Sequence, residues 1–366
     1  MITTATLTTD CQTLASNGGL LYINCFEQGI LRRRCGRGFR YVLSTGVAVK
    51  SRELRNRIAQ LVIPPAWKEV WICPEEDGHI QAVGRDELGR KQYIYHPKWH
   101  ELSWLTKFER MAAMPTALPR IRAKVHEDLA GSQLSRERVT AAIVRVLDKA
   151  HIRVGNEQYV KERDTRGATT LTTDHVQVDQ FTVALDFPGK SGKRHEVEFT
   201  DRKVAKVIRQ CEEIEGYYLF SYFDEKGTLC QATSTDVNNY LREIAGEAIT
   251  AKDFRTWWGS VTALDALSEV DERELTATAR KRAIVAAVRQ SAQLLGNTLA
   301  VCRRSYIHPQ ILTSFENGTL TDELKKCQRS AAQPRPEMQP SECRLAAWLS
   351  TNADALVSGS STNATR

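Results

Sequence analysis

Lys91-Gln92-Tyr93-Ile94-Tyr95-His96-Pro97-Lys98-Trp99-His100-Glu101-Leu102-Ser103-Trp104 is the stretch in which the chain changes character. Before Pro97 the apolar residues come in short runs, Leu20–Phe26, Phe39–Leu43, Val70–Cys73, His79–Val83 and Gln92–Tyr95, separated by Gly, Asp and Pro. Such runs predict strands. Past Trp104 the apolar residues recur three and four apart, which predicts helices. Strands segregated from helices define an α+β fold. The predicted parts are a small β-rich N-terminal domain over residues 1–103 and a larger, mainly α-helical domain over 104–327, with one small β-hairpin sheet. Residues 328–366 read as a C-terminal tail, with a helix over Ser341–Leu349 and disorder from Ala355 to Arg366.

Working outward, Arg52–Leu61 has helical spacing at Leu54, Ile58 and Leu61, and Pro64-Pro65 ends it. Leu134–His151 is an amphipathic helix that Ser135 can cap. Val176–Phe187 reads as strand and alternates clearly at Phe181, Val183, Leu185 and Phe187. A turn at residues 188–193 and a second strand through Val197 and Phe199 make a hairpin. Thr235–Ala245 is a helix stopped by Gly246, Thr250 and Asp253 form a capping box for the next, and a long helix covers Glu274–Leu295 before Gly296.

The 366 residues carry a net charge of +7, a balance that suits a polyanionic partner. Five arginines, Arg32, Arg33, Arg34, Arg37 and Arg40, fall between residues 32 and 40. Interleaved glycines exclude a helix there, so the segment reads as a strand or loop presenting guanidinium groups to phosphates. No apolar run is long enough to span a bilayer. The Thr- and Ser-rich start, Met1–Gly19, lacks the basic and apolar regions of a secretory signal. Nine scattered cysteines without a CxxC pair indicate neither a disulfide frame nor a zinc site, and a cytoplasmic, nucleoid-associated location is expected.

Several apparent motifs carry no chemistry. Pro188-Gly189-Lys190-Ser191 resembles the end of a phosphate-binding loop, but Ala184 stands where its first glycine belongs and a strand follows instead of a helix. The histidines show no paired metal spacing, and no metal or other cofactor is expected. His308, two residues from Tyr306, reads as a surface histidine before Pro309, although a general base is the alternative. There remain Arg153 at a helix end, Lys190 at the hairpin tip, Arg255 in Ala251-Lys252-Asp253-Phe254-Arg255-Thr256-Trp257, and Tyr306 in Arg303-Arg304-Ser305-Tyr306. Singly, each has an ordinary structural explanation.

Five stretches together resemble the poxvirus-like and bacterial type IB DNA topoisomerases over roughly residues 20–320. They are Ile63-Pro64-Pro65-Ala66-Trp67, Gly89-Arg90-Lys91-Gln92-Tyr93-Ile94-Tyr95, Arg153-Val154-Gly155-Asn156-Glu157, the segment around Arg255, and Ser305-Tyr306. Their order and spacing match as well. The resemblance implies that Tyr306 attacks a DNA phosphodiester and forms a 3′-phosphotyrosyl link. Arg153 and Arg255 would hold the non-bridging oxygens, and Lys190 would protonate the leaving 5′-oxygen. Asn297 occupies the place of a histidine in eukaryotic and poxvirus relatives; its amide can donate a hydrogen bond but cannot exchange a proton. Strand rotation and resealing would then relax supercoiled DNA without ATP or an obligatory metal.

The resemblance also implies a C-shaped clamp on duplex DNA, formed by a monomer. Candidate phosphate contacts are Arg32, Arg33, Arg34, Arg37, Arg40, Arg90, Lys91, Lys107 and Arg110; Gln92, Tyr93 and Tyr95 are candidates for contact with base edges or phosphates, with strand-core packing the alternative for the two tyrosines. Two positions depart from the family: Leu299 stands where a proline is common, and Thr172-Thr173 where Arg-Asn is usual. A tyrosine recombinase shares the chemistry, but expects His-x-x-Arg where Lys252 precedes Arg255, and a helical first domain. A DNA-binding protein without catalysis would explain the charge and the aromatics but not a complete site.

Overall fold

In the computed structural model, residues 11–24, 28–87, 89–157, 160, 164–246, 249–331 and 335–358 are described. The chain forms two compact units, Met1–Phe108 and Glu109–Arg366. Strands and helices segregate as an α+β protein requires.

The first unit is built on a five-stranded antiparallel sheet: β1 (Ile30–Cys35), β2 (Gly38–Leu43), β3 (Lys68–Ile72), β4 (Ile80–Arg85) and β5 (Lys91–Tyr95), in the order β2-β1-β3-β4-β5. Alternation along the strands gives two apolar faces. Ile30, Val70, Ile72 and Ala82 pack with Ile58 of the helix Arg52–Gln60, while Trp71, Cys73, Ile80 and Val83 form a second cluster. The arginine-rich segment is therefore the β1–β2 hairpin, turning at Gly36-Arg37. Leu20–Phe26 is not a strand in its described part, residues 20–24; Leu21 makes an isolated bridge to Gly78, and Cys25 and Phe26 lie outside the described residues.

The second unit is mainly helical. Its centre is the helix Arg136–Ala150, capped by the Ser135 hydroxyl and buried along most of its length. The helix Ser234–Ala245 ends at Gly246 with φ +66°, and Ala251–Ser268 starts at the predicted Thr250–Asp253 capping box. The long helix runs over Ala277–Leu294 from an N-cap at Thr276; Glu274, expected to begin it, ends a separate 3₁₀ turn over residues 272–274. Strands β6 (Val176–Asp179), β7 (Thr182–Pro188) and β8 (Arg194–Thr200) make a three-stranded antiparallel sheet. Lys190–Gly192 forms the turn that joins β7 to β8, where the hairpin tip was expected.

The end of the chain is more than a tail. A helix spans Pro340–Ser358, so Ala355–Ser358 is helical; residues 359–366 lie outside the described ones. Its Glu342 is fully buried and accepts from the Arg122 guanidinium and from the Trp257 indole at 2.9 Å. Trp348 is also fully buried and donates to Glu323. An acid and an indole with no exposed surface on one helix mark it as core, since such groups are buried only when partnered. Among the described residues, no helix is long and apolar enough to cross a membrane.

Candidate active site

Four of the five residues singled out by sequence line one cleft of about 350 Å³ in the helical unit: Arg153, Lys190, Arg255 and Tyr306. They come from separate elements. Arg153 lies three residues past the helix Arg136–Ala150, in an extended loop rather than at the helix end itself. The loop is held by backbone bonds from Ala168 and Thr169 to the carbonyls of Arg153 and Val154, at 2.8 and 2.7 Å. Lys190 enters from the β7–β8 turn and is exposed. Asn297 joins through Arg153, whose Nη2 donates to the amide oxygen Oδ1 at 2.6 Å. The buried Nδ2 of Asn297 has no hydrogen-bond partner among the described residues.

Helix Ala251–Ser268 positions both Arg255 and the tyrosine. Arg255 is 3 % exposed, and its guanidinium is clamped by the carbonyls of His151 and Leu295. One turn further on, Ser260 Oγ donates to the Tyr306 carbonyl at 3.3 Å and accepts from the His308 amide at 2.9 Å. The guanidinium carbon of Arg255 lies 5.1 Å from the centroid of the Tyr306 ring. Burial and then the Arg153 charge push the Arg255 pKa down to about 10, so the group remains a cation at neutral pH. Burial alone would raise the Tyr306 pKa, but Arg255, Arg153 and Lys252 outweigh it and lower the phenol below its ordinary value. A cleft lined by three arginines, two lysines and an acidified phenol can bind a phosphate and attack it.

His308 is a correction. It is fully buried, packed edge-to-face on Trp348 at 5.5 Å, with its pKa pushed down by burial to about 4. It is neither a surface histidine nor placed in the cleft, because the C-terminal helix covers it. The two departures from the resembling family have simple structural settings. Leu299 opens the helix Leu299–Ser305 behind the Thr298 cap, a position where proline is favoured because its amide is not needed and its φ is preset, and which leucine also fills. Thr172 is tied to His175 in a 3₁₀ turn.

The proposed DNA contacts fare unequally. Arg33, Arg34, Arg37 and Arg40 are exposed. Arg33 and Arg40 are directly opposite in the β1–β2 register, a repulsive pairing that an anion would relieve. Arg32 is buried instead, donating to the carbonyls of Ile63, Pro64 and Trp67, so it fastens the Ile63–Trp67 turn. Arg90 and Gln92 both bond Asp86. Lys91 is exposed with its ammonium 5.3 Å from the Tyr93 ring centroid, and Tyr93 stacks on Tyr95 at 5.7 Å. Lys107 and Arg110 are half-buried. Lys252, noted in the sequence only as standing where a recombinase has histidine, also lines the cleft; sequence reading passed over Arg166, which lines it too, and His195 and Lys193, which pack around Gly189, Gly296 and Asn297. Nothing local marked them; only the fold brings them there.

Comparison with known proteins places this geometry. The family described as eukaryotic DNA topoisomerase I, catalytic core, matches residues 97–333. The family described as bacterial DNA topoisomerase IB, N-terminal domain, matches residues 38–86. The chain is 30 % identical over 299 residues to DNA topoisomerase 1B of Acanthamoeba polyphaga mimivirus, covering 80 % of this chain and 88 % of that one. It is 23 % identical over 248 residues to DNA topoisomerase 1B of Vaccinia virus (strain Western Reserve), covering 67 % of this chain and 75 % of the relative. A further relative is the mitochondrial DNA topoisomerase I of Rattus norvegicus, 26 % identical over 335 residues, covering 87 % of this chain and 51 % of that one.

Proposed function

This chain belongs to the type IB DNA topoisomerases, DNA-relaxing isomerases, and from that premise we propose that Tyr306 is the nucleophile and that its cleft performs the whole strand transfer. The carrying observation is the convergence of Arg153, Lys190, Arg255 and Tyr306 on one cavity, with Asn297 bonded to Arg153. The Tyr306 phenol loses its proton to solvent and its oxygen attacks phosphorus. The bond from phosphorus to the 5′-oxygen breaks, and Lys190 supplies the proton that the departing oxygen takes up. Arg153, Arg255 and the free Nδ2 of Asn297 hold the non-bridging oxygens, where charge accumulates in the transition state. Fixed guanidinium forks suit that task because they are planar and permanently charged.

The product is a 3′-phosphotyrosyl ester with a free 5′-hydroxyl. The ester keeps the bond energy, so rotation of the cut strand can be followed by the reverse attack without ATP. No obligatory metal enters this scheme, because the cationic side chains carry the electrostatic work. Duplex DNA is gripped by a monomer, with the exposed Arg33 and Arg40 pair and Lys91 of the N-terminal sheet supplying phosphate contacts.

The test is relaxation of supercoiled plasmid in EDTA without ATP. Full relaxation by catalytic amounts of protein is expected. Binding without relaxation would instead indicate a non-catalytic DNA-binding protein, and recombined products a tyrosine recombinase.

A further inference from the structure

His195 lies on β8 at 7 % exposure, paired across the hairpin with Phe187, whose ring it stacks on at 5.2 Å and 9°. Its imidazole fills the gap between two glycines from different parts of the chain. A Cβ built on Gly189 would meet His195 Cδ2 at 2.1 Å, and one built on Gly296 would meet Cε1 at 2.3 Å. Gly189 immediately precedes Lys190, and Gly296 immediately precedes Asn297. The same two segments are tied by Lys193, whose Nζ donates to the Asn297 carbonyl at 2.9 Å while its own carbonyl accepts from the Gly189 amide at 2.7 Å. Asn297 then accepts from Arg153.

We propose that His195 is a positioning residue for strand cleavage: wedged between Gly189 and Gly296, its ring fixes the distance between the Lys190 turn and the Asn297 loop. It touches neither phosphate nor leaving group in this scheme. Its rigidity sets where the acid stands relative to the donors that hold the phosphate. Close packing holds such a spacing, since truncating a core side chain leaves a cavity into which its neighbours partly relax. The ring suits the place also because burial, reinforced by Arg153, Arg255 and Lys193, pushes its pKa down to about 4, so it adds no further charge at neutral pH.

This inference rests on Lys190 being the acid that protonates the 5′-oxygen, and the experiment separates the two. Single-turnover cleavage is measured on an ordinary duplex and on one carrying sulfur as the 5′-bridging atom at the cleavage site, because a thiolate leaves without protonation. On ordinary DNA, Lys190→Ala and His195→Ala should each slow cleavage, the lysine variant by roughly 100-fold or more and the histidine variant by about tenfold or more. On sulfur-bridged DNA both deficits should shrink to within a few-fold of the unsubstituted protein. Failure of Lys190→Ala to recover overturns the acid assignment. Recovery of Lys190→Ala without recovery of His195→Ala overturns the positioning role alone, as does a His195→Ala rate that never fell. Should His195→Ala not fold, Gly189→Ala reads the same contact from the other side, since it pushes a methyl group against the ring, and it must show the same recovery.

Discussion

A Cβ on Gly259 would stand 2.5 Å from the carbonyl oxygen of Tyr306, so the absence of a side chain there is what lets the tyrosine's backbone lie against the helix that carries Arg255. The approached atom is backbone and cannot swing aside. Gly259→Ala should therefore displace Tyr306 from Arg255. We expect a loss of about 1–3 kcal/mol in stability from overpacking, and a fall in covalent DNA capture larger than any fall in DNA binding. Thermal unfolding, covalent trapping and a binding titration on the same preparation check this; unchanged capture would show that the contact does not position the phenol.

Arg153 and Asn297, joined by a hydrogen bond, form the second relationship on which the proposed chemistry rests. Asn297→Asp keeps the shape and the acceptor for Arg153 but replaces the free N–H donor with a carboxylate facing the phosphate. Cleavage should fall about 100-fold or more, comparable to the loss of one oxyanion donor. Asn297→Ala should be milder because it adds no repulsive charge. Equal rates for the two substitutions would place the amide away from the phosphate.

The C-terminal helix should be indispensable to the fold. Glu342→Ala would leave the buried Arg122 with only Asp148 for an ion-pair partner and strip the Trp257 indole of its acceptor. Breaking such a buried cluster costs about 3–5 kcal/mol. A large drop in melting temperature is expected, and a similar drop on truncation before Pro340. An unshifted melting temperature would mean that the helix is an accessory.

Acid should weaken the protein in a defined window. His151 and His308 are both pushed to about 4, chiefly by burial, from the ordinary value of 6.5. The unfolded chain takes up their protons first. Their contribution is thus fully present above pH 6.5 and is lost as pH falls toward 4. For the fully buried His308 the loss approaches roughly 3 kcal/mol at the bottom of that window. His308→Phe should flatten the decline of melting temperature over this range; an unchanged decline would place the titration elsewhere.

Much of this was legible before any coordinates, for particular reasons. Ser135, Gly246 and the Thr250–Asp253 box mark helix ends through local hydrogen bonding, which sequence spacing records directly. The β7–β8 hairpin was visible because its alternation is a property of one strand. Arg153, Arg255 and Tyr306 stood out as candidates through the joint spacing of five motifs, because no single one is distinctive, while Lys190 and Asn297 took their roles from the resemblance. What stayed hidden depends on contacts between distant segments. Arg32 looked like its four neighbours, yet its partners are carbonyls some thirty residues away. Residues after 328 read as a tail because the Pro- and Ser-rich stretch masks a helix whose burial is apparent only from Arg122, Trp257 and Glu323. His308 was misjudged for the same reason. The spacer role of His195 exists only where Gly189 and Gly296 meet.

The central claim is that the Tyr306 oxygen becomes covalently bonded to DNA. Denaturing a reaction with end-labelled duplex should trap protein on the 3′-phosphate end of the cut strand, with a free 5′-hydroxyl across the nick. Digestion and mass spectrometry should place the nucleotide on the peptide containing Tyr306, with no adduct from Tyr306→Phe although that variant still binds DNA. An adduct on any other residue, or one that persists in Tyr306→Phe, would contradict the account.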